Sequence, residues 1–324
     1  MAVGDKRDGF KYGNLILAII LASLATPVVK WLVMQGGKFG ISNPNAISFC
    51  NILFVGNLCS GLVVLFTFGW KGIWRHLRDL SGRTGLLLLG NLLIGTVLAP
   101  IFLFIALETT MVTTLVLLTR IEAVVYSVLG VLLFKDPISK MNWIGLVFIT
   151  VGTIALALYQ GGGELTRGDG LGILAGLLYA VGSSMGRSIL EHTSIYGFIF
   201  SRNLLGGIIF FWLAIILYGS DHFAEAFSAD LWLVMTVYAA LVVVLGQITW
   251  FRAITSLPSG IVASWSTLTP VLGILFAYLL LHEVPDMSQW MAAAIILFGM
   301  AISQIQPVRA VSIPRMVEKG LVGA

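Results

Sequence analysis

Ten apolar runs, each about the 20 residues that a helix needs to cross a bilayer, take up almost the whole chain and leave little for a soluble domain. They cover roughly 12–34, 46–69, 85–107, 110–134, 142–160, 170–190, 195–218, 230–251, 259–281 and 287–306. In lipid the backbone must satisfy its own hydrogen bonds, so runs of this kind fold as helices. Charged residues make up 10% of the chain and mean hydropathy is +0.98. A soluble domain carries about a quarter charged. The expected fold class is therefore an all-α integral membrane protein with ten transmembrane helices.

The net charge of +4 reflects topology. With the N-terminus inside, the inner segments hold Lys6, Arg7, Lys11, Lys71, Arg75, Arg78, Arg83, Lys135, Lys140, Arg252, Arg309, Arg315 and Lys319, against Lys38 and Arg167 outside. Thirteen against two places both termini in the cytoplasm, and the basic excess needs no nucleic acid to explain it. The apolar run after Lys11 passes a signal-peptide-like Ser23-Leu24-Ala25 but continues to Met34, which reads as a span rather than a cleaved leader. Cys50 and Cys59 share the second span and read as apolar packers.

Residues 106–152 and 253–299 align without a gap at an offset of 147. Ala106 falls on Ala253, Asp136 on Glu283, Asn142-Trp143 on Gln289-Trp290 and Gly152 on Gly299. Such internal duplication is a mark of transporters. Five spans precede the glycine-rich stretch at 160–164 and five follow it. An odd number per half makes the halves inverted repeats, with expected units of 1–160 and 161–308 and a cytoplasmic tail at 309–324. At a second offset, 157, Lys30 near the end of span 1 matches Arg187 near the end of span 6. Thr109, Thr110 and Ser259 are the expected N-caps of spans 4 and 9. Gly172, Gly176, Ala180 and Ser184, with Gly182 and Gly186, give span 6 a small-residue face for close helix packing, either at the centre of the bundle or as a homodimer seam.

Glu122 is the one acidic residue near the middle of a predicted span, and Arg120 lies two positions before it. A charge at that depth costs about 2.5–3.5 kcal/mol or more to insert, so intramembrane ionisable groups default to functional hypotheses. Two residues apart on a helix are rotated by about 200°, so each needs a partner elsewhere. Thr119 and Tyr126 share the face of Glu122. Across the repeat, Thr119, Arg120 and Glu122 fall opposite Ser266, Thr267 and Thr269, which predicts two polar stripes lining a central pocket. Pro270 lacks an N–H and frees a carbonyl one turn back, near Ser266. Trp265, Tyr179, Trp250 and Gln247 are candidates for the pocket wall. Lys30, Arg187 and Arg202 lie close enough to span ends to snorkel, and one of the three is a candidate partner for Glu122. An apolar pocket with Arg120 and Glu122 would suit a zwitterion.

The chain resembles the drug/metabolite transporter superfamily, EamA type. The resemblance spans nearly its whole length and rests on Leu132-Leu133-Phe134-Lys135-Asp136, Leu279-Leu280-Leu281-His282-Glu283 and the Thr269-Pro270 step; the first half has Glu122-Ala123 in place of that step. It implies a ten-helix fold whose cavity is lined mainly by spans 1, 3, 4, 6, 8 and 9, with spans 5 and 10 peripheral. It also implies secondary transport of a small organic metabolite, commonly outwards, in a plasma membrane of bacterial type. Proton coupling through Glu122 is one mechanism. A passive channel or a lipid flippase is the alternative. His76, His192, His222 and His282 are scattered, without metal-ligand spacing, and no phosphate-binding glycine loop is present, which argues against an enzyme. No cofactor and no metal are expected.

Overall fold

The computed structural model describes residues 2–35, 49–78, 81–160, 162, 164–219, 229–266 and 268–304. Among them all regular structure is helical. Nine passes among the described residues are long and apolar enough to cross a membrane: Phe10–Met34, Asn51–Phe68, Gly82–Thr109, Val112–Phe134, Lys140–Tyr159, Arg167–Leu190, Ile195–Ile216, Leu231–Ser256 and Ser259–Leu281. A shorter tenth follows at Met287–Ser303. These match the apolar runs to within a few residues, because length and hydropathy are enough to locate a span.

Passes 1 and 2 are α1 (Ala2–Gln35) and α2 (Phe49–Phe68), followed by a short helix, α3 (Trp70–Arg78), that hydropathy alone leaves as a loop. Trp70 and Trp74 are more than half exposed while Ile73 is buried, the two-faced pattern of a helix lying along a membrane surface. Pass 3 comprises α4 (Gly82–Asn91), a π-helical stretch Leu92–Leu98 and α5 (Ala99–Thr109). Pass 4 is broken into α6 (Val112–Leu118) and α7 (Ile121–Phe134). Then come α8 (Lys140–Gln160), α9 (Arg167–Leu190) and α10 (Ile195–Tyr218). Pass 8 joins α11 (Ala229–Tyr238), a second π-helical stretch Ala239–Val244 and α12 (Leu245–Ser256). Pass 9 is broken into α13 (Ser259–Ser266) and α14 (Thr269–Leu281), and α15 (Met287–Gln304) ends the described chain.

The irregularities recur at a spacing of 147 residues, or 148 for the breaks. The π-helical stretches begin at Leu92 and Ala239. The breaks fall after Leu118 and after Ser266. Passes 4 and 9 end in left-handed residues, Lys135 (φ 54°) and His282 (φ 55°), each directly before its acidic residue.

The small-residue face of α9 is used inside the chain. Gly182 lies against Gly95 and Gly176 against the backbone of Thr119, so α9 packs closely on passes 3 and 4. Gly172 meets Leu115 and Gly186 meets Phe251. At the edge of the bundle α8 and α15 pair through Gly145 and Gly299. Their outer faces expose Trp143, Val147, Val151, Trp290 and Phe298. Cys59 is buried, with its sulfur 3.5 Å from the Thr236 hydroxyl.

Candidate functional site

A cavity of about 400 Å³ lies among α1, α2, α9, α10 and passes 3, 4, 8 and 9. That volume falls in the range of small-molecule sites. Neither α8 nor α15 contributes to its wall. Passes 2 and 7 do, through Asn57 and through Arg202 and Asn203, although the family resemblance did not include them.

Thr119, Arg120, Glu122, Tyr126, Tyr179, Gln247, Trp250, Ser266 and Thr269 all line the cavity. Trp265 does not; its ring packs 6.0 Å from that of Tyr12. Pro270 is buried in the first turn of α14. Lys30 is no partner of Glu122 and lies at the periphery described below. Thr267 falls outside the described residues. The Gln247 amide is taken up by Asn203, whose Nδ2 donates to Gln247 Oε1 at 2.9 Å.

Arg120 is committed to the scaffold. At the break in pass 4 its own N–H bonds to Leu117 O (3.2 Å), one residue short of the α-helical partner. That frees the Val116 carbonyl, which accepts Arg120 Nε at 3.1 Å. In pass 9 Pro270 has no N–H to offer Ser266 O, and Arg120 Nη1 donates to that carbonyl at 3.1 Å. Arg120 Nη2 reaches Thr119 Oγ1 at 3.4 Å. The carbonyl expected to await a ligand is thus filled by an arginine from the other half, and the two broken helices are pinned together.

Glu122 follows the same break, in the first turn of α7, where the helix N-terminus favours a negative charge. No salt bridge forms between Glu122 and Arg120, as their 200° separation on the helix anticipates. The Tyr126 ring packs 6.4 Å from Trp250, and its hydroxyl lies beside Arg187.

Arg202, read from sequence as a snorkelling residue, faces the cavity instead. Its Nε donates to Thr96 Oγ1 at 3.1 Å, in the first π-helical stretch. The rings of Phe251 and Phe198 lie 5.4 and 5.7 Å from the guanidinium carbon. Tyr179 lines the same cavity as both Glu122 and Arg202.

Two ionic clusters sit at opposite ends of pass 4. At its C-terminal end Asp136 accepts from Arg187 Nη1 (2.6 Å) and Nη2 (3.0 Å) and from the Ser259 N–H (2.8 Å). Both side chains are under 10% exposed, at 8% and 9%. Burial alone would raise the Asp136 carboxyl, but the arginine fork and the Ser259 N–H outweigh it and hold the group below the usual carboxylate range. At the N-terminal end Glu283 accepts from Lys30 Nζ (3.4 Å), the Val112 N–H (3.4 Å), and the Thr113 N–H (3.1 Å) and hydroxyl (3.2 Å). The N-termini of passes 4 and 9 are therefore capped in trans by carboxylates, not by Thr109, Thr110 or Ser259 as their local sequence predicts. Met111 occupies the cap position of α6 without a side-chain bond, and Thr109 and Thr110 lie against Gly168. A charge-assisted hydrogen bond is roughly twice as strong as a neutral one.

These features have counterparts among known proteins. The EamA-like transporter family matches residues 11–158 and again 166–304. An uncharacterized transporter of Synechocystis sp. is 34% identical over 304 residues, covering 90% of this chain and 86% of its own. Uncharacterized transporters of Bacillus subtilis (23% over 232 residues; 70% of each chain) and Archaeoglobus fulgidus (28% over 239 residues; 71% and 78%) are also similar. A crystal structure with 16% identity shares the fold at a TM-score of 0.59, over 90% of this chain and 95% of the other. A membrane-spanning, all-helical chain matched along most of its length in this way belongs to the EamA-like transporter family.

Proposed function

We propose that the protein is a secondary transporter that exports small organic metabolites by alternating access about the central cavity, with two inverted halves moving against each other. The observation that carries this reading is the pair of ionic clusters at opposite ends of Val112–Phe134. In each, an acidic residue from one half caps the first turn of the other half's broken pass and meets a cation on α1 or α9. Opening one end requires releasing one cluster while the other holds.

The clusters are unequal. Asp136 and Arg187 form a buried bidentate pair, whereas Lys30 makes a single 3.4 Å contact and is 23% exposed. In this reading the conformation described is the one sealed at the Asp136 end. In the same reading that end and both termini face the cytoplasm, which the bias of basic residues supports, and the membrane is a bacterial plasma membrane.

Reconstituted protein should show saturable flux that is accelerated by substrate on the opposite side. Flux linear in concentration and indifferent to trans solute would make it a channel, and lipid scrambling in empty liposomes would make it a flippase. Glu122, the acidic residue in the cavity wall, is the coupling group in this reading. We expect Glu122→Gln to abolish stimulation of transport by an imposed pH gradient while solute exchange survives. An unchanged response to pH would remove the carboxylate from coupling.

A further inference from the structure

Among the basic residues within the spans, two have their charge paired and a third has its donors engaged by the protein. Lys30 meets Glu283, Arg187 meets Asp136, and Arg120 serves two carbonyls left over by broken helices. Arg202 differs. Among the described residues it forms no ion pair, and its one hydrogen bond, from Nε to Thr96, leaves the four N–H donors of its two amino groups unused. The hydrogen bond and the two flanking aromatic rings fix the guanidinium plane. A desolvated arginine held rigid, with its fork open to a cavity, is a receptor geometry for a planar anion, because two parallel N–H groups match the two oxygens of a carboxylate.

Charge counting points the same way. The charged residues in the cavity wall are Arg120, Arg202 and Glu122. With Glu122 ionised the wall has one surplus positive charge, and with Glu122 protonated it has two. A neutral or cationic cargo would leave that surplus unmet in a low-dielectric setting, whereas one carboxylate cancels it. Phe251, whose ring flanks Arg202, lines the same cavity as Tyr179 and Trp250, together with the polar Asn57, Thr96, Asn203 and Gln247.

We propose that Arg202 is the anion-binding residue of the transport site and that the cavity takes a carboxylate-bearing organic molecule whose body lies against Tyr179 and Trp250. This rests on the transport reading above. Thr96 is a positioning residue that aims the guanidinium.

The test uses the full chain in proteoliposomes loaded with an equimolar mixture of amino acids, monocarboxylates, dicarboxylates, aliphatic amines and nucleosides, with release followed by mass spectrometry. The released compounds are expected to carry a carboxylate, with or without an amine. Their release should fall at least tenfold in Arg202→Gln and less in Arg202→Lys, which keeps the charge but loses the fork. Thr96→Val should raise the concentration giving half-maximal release more than it lowers the maximal rate, which loosened packing alone would not do. This variant and Arg202→Lys supply the readout if Arg202→Gln does not fold. Selective release of amines or nucleosides overturns the proposal while leaving the transport reading intact, as does carboxylate release unchanged in Arg202→Gln. No release of any class from wild-type vesicles overturns the transport reading and the inference with it.

Discussion

Asp136→Asn is expected to destabilise the folded protein by about 3–5 kcal/mol, the usual cost of removing one partner from a buried ion pair. The loss is that large because Arg187 is only 8% exposed and would hold its charge in the interior when its carboxylate goes. Arg187→Gln should cost about as much, for the mirror-image reason. The combined variant should be less damaged than the sum of the two, because it strands no charge, and a double-mutant cycle on thermal unfolding in detergent measures the difference. Strict additivity would show that the pair is not coupled. Glu283→Gln should do less, about 1 kcal/mol, since Lys30 is more exposed and makes one longer contact. The pH dependence has a definite sign. A carboxyl held below its unfolded value contributes its full stability above that value and loses it only as pH falls through the depressed folded value. Acidification from neutrality to about pH 5 should therefore leave the Asp136 cluster closed.

Gly182→Leu is expected to prevent assembly of the bundle. A Cβ at position 182 would stand 2.8 Å from the Gly95 Cα and 3.5 Å from its nitrogen. Both obstacles are backbone, so no side chain can move aside, and α9 must separate from the π-helical stretch of pass 3. Separation also breaks the 2.6 Å bond from Asn91 Nδ2 to the Gly182 carbonyl. Overpacking alone costs about 1–3 kcal/mol, and the lost buried hydrogen bond adds to it. Size-exclusion profiles of detergent extracts should show little monodisperse protein for Gly182→Leu and a reduced but measurable peak for Gly182→Ala. Full recovery of Gly182→Leu would mean that the two helices do not meet where the structure places them.

The spans were legible because about 20 apolar residues with few charges have one stable arrangement in lipid. The turn acids were visible as well, because Asp136 and Glu283 hold matching places after leucine-rich runs. Their partners were not. Asp136 finds its guanidinium 51 residues away and its amide 123 away, and Glu283 reaches its lysine across 253. The 157-residue match of Lys30 and Arg187 pointed to them as a pair, yet depth in the membrane alone made both look like headgroup anchors.

The same limitation hid Arg202. Seven residues into its pass, its depth is known from sequence but its facing is not, and facing decides between lipid headgroup and cavity. The hydrogen-bond partners of Arg120 were hidden for a different reason. Pass 4 breaks with no proline or glycine to announce it, so nothing in the local sequence showed that Val116 O would be free. Pass 9 does carry its proline, and Ser266 O one turn before it accepts from Arg120 rather than from an N–H of its own helix.

The two π-helical stretches have a bearing on how the chain tolerates change in length. A π-turn accommodates one residue more than the α-turn it replaces, and each α-helical residue rotates the chain by about 100°. Removing one residue from Leu92–Leu98 would return that stretch to α geometry and leave the helices on either side facing as they do, changing only the local placement of Gly95 and Thr96. A loss within Ala239–Val244 would likewise leave Gln247 and Trp250 on their present faces. Each of these two passes therefore has one interior point that absorbs a change of one residue in length, whereas a deletion in the α-helical parts would turn everything beyond it by about 100° and re-aim the cavity wall.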